Sequence, residues 1–179
     1  PIGDTPPALI ALGADLTLRS ATGSRTMRLE DYFIAYGKQD RNPGEFVEKI
    51  TVPDAPEDAY FAVYKISKRR DEDISALLGA FYLALDAEGC VETCRIAFGG
   101  MAATPKRAKA VEAALTGRPW SWNTVASVRD AFDEDYQPLS DWRATAEYRS
   151  LAAKNLLTRF FLETAGQPQE LARFEPEEA

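Results

Sequence analysis

Histidine is absent from this chain of 179 residues, and cysteine occurs only as Cys90 and Cys94. These scarcities exclude a histidine-based triad, a histidine metal site and a four-cysteine iron–sulfur cluster built from this chain alone. On one strand the two thiols share a face but stand roughly 13 Å apart at Cα, too far for a disulfide without a bend. They read as buried or turn thiols. No apolar run nears bilayer length, and no basic, then apolar, then small-residue start marks a signal peptide. A cytoplasmic protein is the expectation, with no membrane partner. Positive charge is scarce too: 21 basic residues face 28 acidic ones, a net charge of −7. Phosphate backbones are repelled by such a chain, so nucleic acid is not an expected partner. Gly99 and Gly100 lack the surroundings of a phosphate loop; two glycines between a strand and a helix read as a tight backbone turn.

What is present is an ordinary globular composition, 45% hydrophobic and 27% charged, sufficient for a real core. Thr5 is placed to cap a short helix over Ala8 to Leu12, with Pro6 and Pro7 at its first positions and Gly13 closing it. Asp15 to Ser20 alternates as a strand, a polar turn follows to Arg25, and Thr26 to Leu29 returns from it. A charged, glycine-containing loop, Tyr36 to Gly44, precedes a strand over Glu45 to Val52. Pro53 and Pro56 then mark a domain boundary. Beyond it, Tyr60 to Ser67, Ala76 to Asp86 and Val91 to Phe98 read as a three-stranded antiparallel meander. Thr104 followed by Pro105 signals a helix ending at Gly117, with Ala108, Val111 and Leu115 on its apolar face. Further helices are expected over Thr124 to Glu134 and Thr145 to Thr164, the last with Tyr148, Ala152, Leu156 and Phe160 as its ridge. The acidic stretch from Gln167 to Ala179 lacks periodicity and is expected to be a disordered tail. Strands followed by helices imply an α+β sandwich with the helices on one sheet face.

The stretch YFAVYKISKRRDEDIS, Tyr60 to Ser75, carries most information. Alternation places Phe61, Val63, Lys65 and Ser67 on one face, which makes Lys65 a cation on a face that otherwise looks buried. Such a position asks for an acceptor, a protein carboxylate or an anionic ligand. The charge run Lys68, Arg69, Arg70, Asp71, Glu72, Asp73 is by itself consistent with a solvated loop whose members pair with one another.

This stretch resembles the flavin-binding subunit of xanthine dehydrogenase, of the molybdenum hydroxylase family. PIGDTPPALIALGADLTL, EFVEKITVP, IAFGGMAATPKRA and the segment from LSDWRATAEYR resemble the family in the same order, from Pro1 to about Gly166. The resemblance implies residues 1–53 as the C-terminal part of an FAD-binding domain, 54–166 as the CO dehydrogenase flavoprotein-like C-terminal domain, and 167–179 as tail. It implies that Asp4 accepts a hydroxyl of the FAD, that Phe46 and Val47 pack on the flavin, and that Lys65 touches the cofactor. Arg69, Arg70, Asp71 and Asp73 would form a loop bordering the approach of NAD, whereas Arg143, Tyr148 and Arg149 belong to helix start and domain packing. The family's glycine- and asparagine-rich pyrophosphate grip precedes PIGD, so a piece of a larger polypeptide is expected. The whole enzyme would oxidise hypoxanthine and xanthine to urate at a molybdenum cofactor on another subunit and relay electrons through iron–sulfur clusters on other segments to FAD and NAD. This chain would hold no catalytic acid or base and no metal. Alternatives are a flavoprotein piece of a carbon monoxide dehydrogenase or aldehyde oxidase type enzyme, or a non-enzymatic interaction module.

Overall fold

The computed structural model describes residues 2–69 and 73–166. Arg70, Asp71 and the 167–179 tail of the expectations above lie outside the described residues.

Helix α1, Thr5–Ala11, carries prolines in its first turn, where the missing N–H groups have no intrahelical partner to lose. Its N-cap is Asp4 instead of the expected Thr5, and the Asp4 carboxylate makes no capping bond because it is engaged elsewhere. Strands β1, Asp15–Ser20, and β2, Gly23–Arg28, form a hairpin. A one-turn helix α2, Leu29–Tyr32, leads to a small ribbon of β3, Phe33–Ala35, and β4, Lys38–Gln39, inside what reads as loop in the sequence. Strand β5, Phe46–Thr51, completes a three-stranded sheet in the order β2-β1-β5. Its edge is held by Arg25, which bonds both Glu45 and Asp40.

The second sheet contains β6, Tyr60–Ile66, β7, Leu77–Leu85, and β8, Val91–Gly99, as an antiparallel meander. A two-residue fourth strand, β9, Lys106–Arg107, pairs with Phe98 and Ala97. The Thr104–Pro105 signal therefore does not start a helix. Helix α3, Lys109–Leu115, begins after β9, and its first free amides, Ala110 N and Val111 N, donate to the buried Asp135 carboxylate. A cap from a distant residue has replaced the local one. Helix α4, Trp122–Val128, is capped by Ser121 and passes through a 3-10 turn into α5, Phe132–Asp135. Helix α6, Ala146–Thr164, is capped by Thr145.

Two cores flank the larger sheet. Leu77, Phe81, Leu83, Ile96 and Phe98 pack against α3 to α6 on one face, with Phe81 stacked on Phe160 at 5.2 Å. On the other face Ala80 and Ala97 receive Ile10 and Ala11 of α1, their small side chains admitting the helix. Helices thus cover both faces. Glycine is required at Gly79, where an added Cβ would lie 2.7 Å from the Phe98 ring. Gly100 has φ +82°, and a Cβ there would meet the Ala76 carbonyl at 2.7 Å, in keeping with a tight turn.

In α6 the buried set is Arg149, Ala152, Ala153, Leu156, Leu157 and Phe160, a helical stripe. Tyr148, expected on the ridge, is half exposed. Its neighbour Arg149 turns inward instead and bonds Ala76 O, Leu139 O and both oxygens of Asp141. This agrees with the packing role read for Arg149.

Candidate flavin-facing site

Alternation along β6 places Tyr64 in the helix-side core and leaves Phe61 at 42% and Val63 at 41% exposure on the opposite face. That face was expected to be buried. It is open because β6 is the edge strand and α1 packs on β7 and β8 instead.

Lys65 shares this open face, and its side chain remains 40% exposed. The acceptor that its position asks for is Asp4, at 2.9 Å from Nζ to Oδ2. The second Asp4 oxygen accepts from Ser75 Oγ at 2.5 Å, and Lys65 Nζ also donates to the Asp73 carbonyl at 2.7 Å. The start of α1, the end of β6 and the return into β7 are thereby tied into one cluster. Ser75, buried to 1%, was missed in the sequence, since nothing local distinguishes it from any serine ending a charged loop.

Asp73 organises that loop. Its carboxylate accepts from the backbone N–H groups of Lys68, Arg69 and Ile74 and from the Arg69 guanidinium. Burial pushes the Asp73 carboxyl upward, but the Arg69 N–H and guanidinium outweigh it, so its pKa lies below the usual aspartate value. The charge run is therefore a folded turn around one carboxylate as far as Arg69 and Asp73 are concerned.

Phe46 and Val47 stand apart from this cluster on β5, exposed to 55% and 42%, paired through the backbone with Arg19 and Leu18. Every residue of β5 is exposed, so the strand displays apolar side chains that nothing in the described chain covers.

These residues suit a flavin. Lys65 uses two of its three donors and Asp4 two of its roughly four lone-pair directions, so each keeps capacity toward solvent. Exposed Phe46, Val47, Phe61 and Val63 offer apolar surface for an aromatic ring system. Among the described residues no cluster of His, Cys, Asp or Glu is arranged to hold a metal ion, and no helix is long and apolar enough to cross a membrane.

Residues 62–164 match the CO dehydrogenase flavoprotein C-terminal domain, and residues 1–55 match the FAD binding domain in molybdopterin dehydrogenase. The glyceraldehyde dehydrogenase medium chain of Sulfolobus acidocaldarius is 34% identical over 92% of this chain and 58% of its own length. Xanthine dehydrogenase of Emericella nidulans is 28% identical over 93% of this chain and 12% of its own length. In structure, carbon monoxide dehydrogenase of Hydrogenophaga pseudoflava superimposes with a TM-score of 0.84 at 26% identity, covering 93% of this chain and 57% of that one. The chain thus spans little more than half of the medium chain it matches, and a small part of the longer relative.

Proposed function

Because the chain belongs to the CO dehydrogenase flavoprotein C-terminal domain family, joined to an FAD-binding segment of the molybdopterin dehydrogenases, we propose that it forms one wall of the flavin site of an oxidoreductase that oxidises hypoxanthine and xanthine to urate. Bound FAD would supply the redox chemistry, taking electrons that originate at a molybdenum centre and delivering them to NAD. The family carries its iron–sulfur and molybdenum cofactors on other segments, so the partners in this proposal are upstream FAD-binding and iron–sulfur segments and a molybdenum-cofactor subunit. A cytoplasmic location belongs to the same proposal.

The observation that supports it is the Asp4–Lys65–Asp73–Ser75 cluster, in which the Lys65 and Asp4 side chains stay 40% and 39% exposed, Lys65 on the same strand face as the exposed Phe61 and Val63. Asp4 orients the Lys65 ammonium, and the Asp73 carbonyl fixes it from the other side. Held there, the cation favours negative charge developing on a neighbouring group. Phe46, Val47, Phe61 and Val63 would exclude water from a ring bound against them. Arg69 and Asp73 shape the loop along which NAD would approach, with Arg70 and Asp71 assigned to the same loop.

FAD content and affinity of the assembled protein test the wall. The reading predicts weaker binding in both Asp4→Ala and Lys65→Met; full FAD occupancy and an unaltered flavin spectrum in both would refute it. For the acceptor, Arg69→Ala should slow NAD reduction while sparing purine-driven reduction of a dye that takes electrons before the flavin. A purine specificity is distinguished from carbon monoxide or aldehyde oxidation by assaying the assembled enzyme with each substrate.

A further inference from the structure

At the helix-side end of β6 a cleft of about 420 Å³ is lined by Ile66, Lys68, Ala76, Arg143, Thr145 and Tyr148. It opens on the α6 side, since alternation sends Ile66 and Lys65 to opposite faces of β6, and it adjoins the Asp73 turn through the backbone of Lys68. We propose that this cleft binds a nucleoside diphosphate, with the phosphates on Arg143 and Lys68 and the base against Tyr148.

Three observations on the lining residues converge. First, Arg143 has no carboxylate partner among the described residues, and its Nε is buried without any hydrogen-bond partner. Burying a donor unpaired is costly, and an anion held by charge-assisted bonds on the guanidinium's terminal amines offsets part of that cost. The guanidinium is also held in place, stacked 3.8 Å over the Trp142 ring, so an anion would meet a pre-set fork. Second, among the described residues Lys68 Nζ bonds only the Trp142 carbonyl, at 2.8 Å, a neutral acceptor that an oxyanion outcompetes. Both cations thus lean on the same residue and face the same space. Third, the rest of the lining is largely apolar, and Tyr148 is 49% exposed at its rim, an aromatic face available for stacking. A simple inorganic ion would leave that surface unused, and a cleft of this volume falls in the range of small-ligand sites.

Among the described residues, the neighbouring acidic groups do not cancel the cations. Asp141 is bound by Arg149 and by the Arg143 and Ala144 backbone amides. Asp73 is occupied by the Lys68, Arg69 and Ile74 amides. Glu147, in the first turn of α6, is exposed to solvent.

Calorimetric titration of the full chain with ADP, inorganic pyrophosphate and adenosine tests this. Saturable ADP binding is expected, weakened about tenfold or more in Arg143→Gln and by a smaller factor in Lys68→Gln. Circular dichroism confirms that both variants stay folded. Tyr148→Ala should weaken ADP while leaving pyrophosphate unchanged. No saturable ADP binding, or binding indifferent to both charge substitutions, overturns the proposal. Pyrophosphate binding as tightly as ADP overturns the nucleoside part, and adenosine binding as tightly as ADP overturns the phosphate part. The flavin reading stands or falls on Asp4 and Lys65, so either proposal can fail alone.

Discussion

Strands β5 and β7 are both rich in apolar residues, yet they meet opposite fates. All six residues of β5 are exposed, whereas eight of the nine in β7 are buried. β7 lies between β6 and β8 with helices on both faces, so each side chain contributes to the fold. β5 is an edge strand whose Phe46, Val47 and Ile50 remain 55%, 42% and 42% exposed among the described residues. The contrast separates side chains that hold the protein together from those displayed for something else. The cations divide likewise: Arg149 is sealed at 3% side-chain exposure, Lys65 is open at 40%.

The sharpest way to break this comparison is Arg149→Met. The change leaves the carbonyl of the buried Ala76 without its donor, and an unsatisfied buried acceptor costs about 1–3 kcal/mol. Urea denaturation checks it; a loss under about 1 kcal/mol would mean Arg149 is not a core element. Acid adds a second reading. The Arg149 bonds hold Asp141 down at about 2, below its ordinary 3.8. A depressed carboxylate stabilises fully above its unfolded value and loses that contribution as pH falls toward the folded one. Stability should therefore drop between about pH 4 and 2, more steeply in the native protein than in the Met variant.

A second core substitution, Gly79→Ala on β7, drives a methyl group against the Phe98 ring. Overpacking of this kind costs about 1–3 kcal/mol, read as a lower thermal midpoint. Unchanged stability would show that the ring gives way freely.

Lys65→Met turns to the open surface. Stability should move by less than about 1 kcal/mol, since an ion pair this exposed contributes little. The flavin potential of the assembled protein should fall by about 30 mV or less, the two-electron equivalent of 1.4 kcal/mol reduced by solvent screening. An unchanged potential with FAD fully bound would return Lys65 to a surface role. Smallest is Phe46→Ala, expected to shift stability by no more than about 0.5 kcal/mol while weakening FAD roughly two- to tenfold through lost ring contact. If stability fell instead, β5 would belong with β7.

Much of this was legible before any coordinates. The meander, the long helix over Thr145 to Thr164 and the need of Lys65 for an acceptor all follow from alternation, helical spacing and the cost of an unpaired cation. The identity of that acceptor did not. Asp4 lies 61 positions away, and no local pattern distinguishes a carboxylate that caps its own helix from one that reaches across the fold. The same limit misplaced the start of α3, whose amides are satisfied by Asp135 instead of Thr104. It also inverted the faces of β6, because alternation defines two faces without saying which one a helix will cover.

The sequence by itself determined which segments become strands and helices and which family they belong to, since periodicity, caps and ordered motifs are local properties. Only the tertiary structure decided that Asp4, Lys65, Asp73 and Ser75 meet, that β5 stands uncovered, and that Arg143 and Lys68 share one cleft. Those outcomes depend on where packed layers end, and the edge of a sheet is defined by its neighbours, not by its own residues.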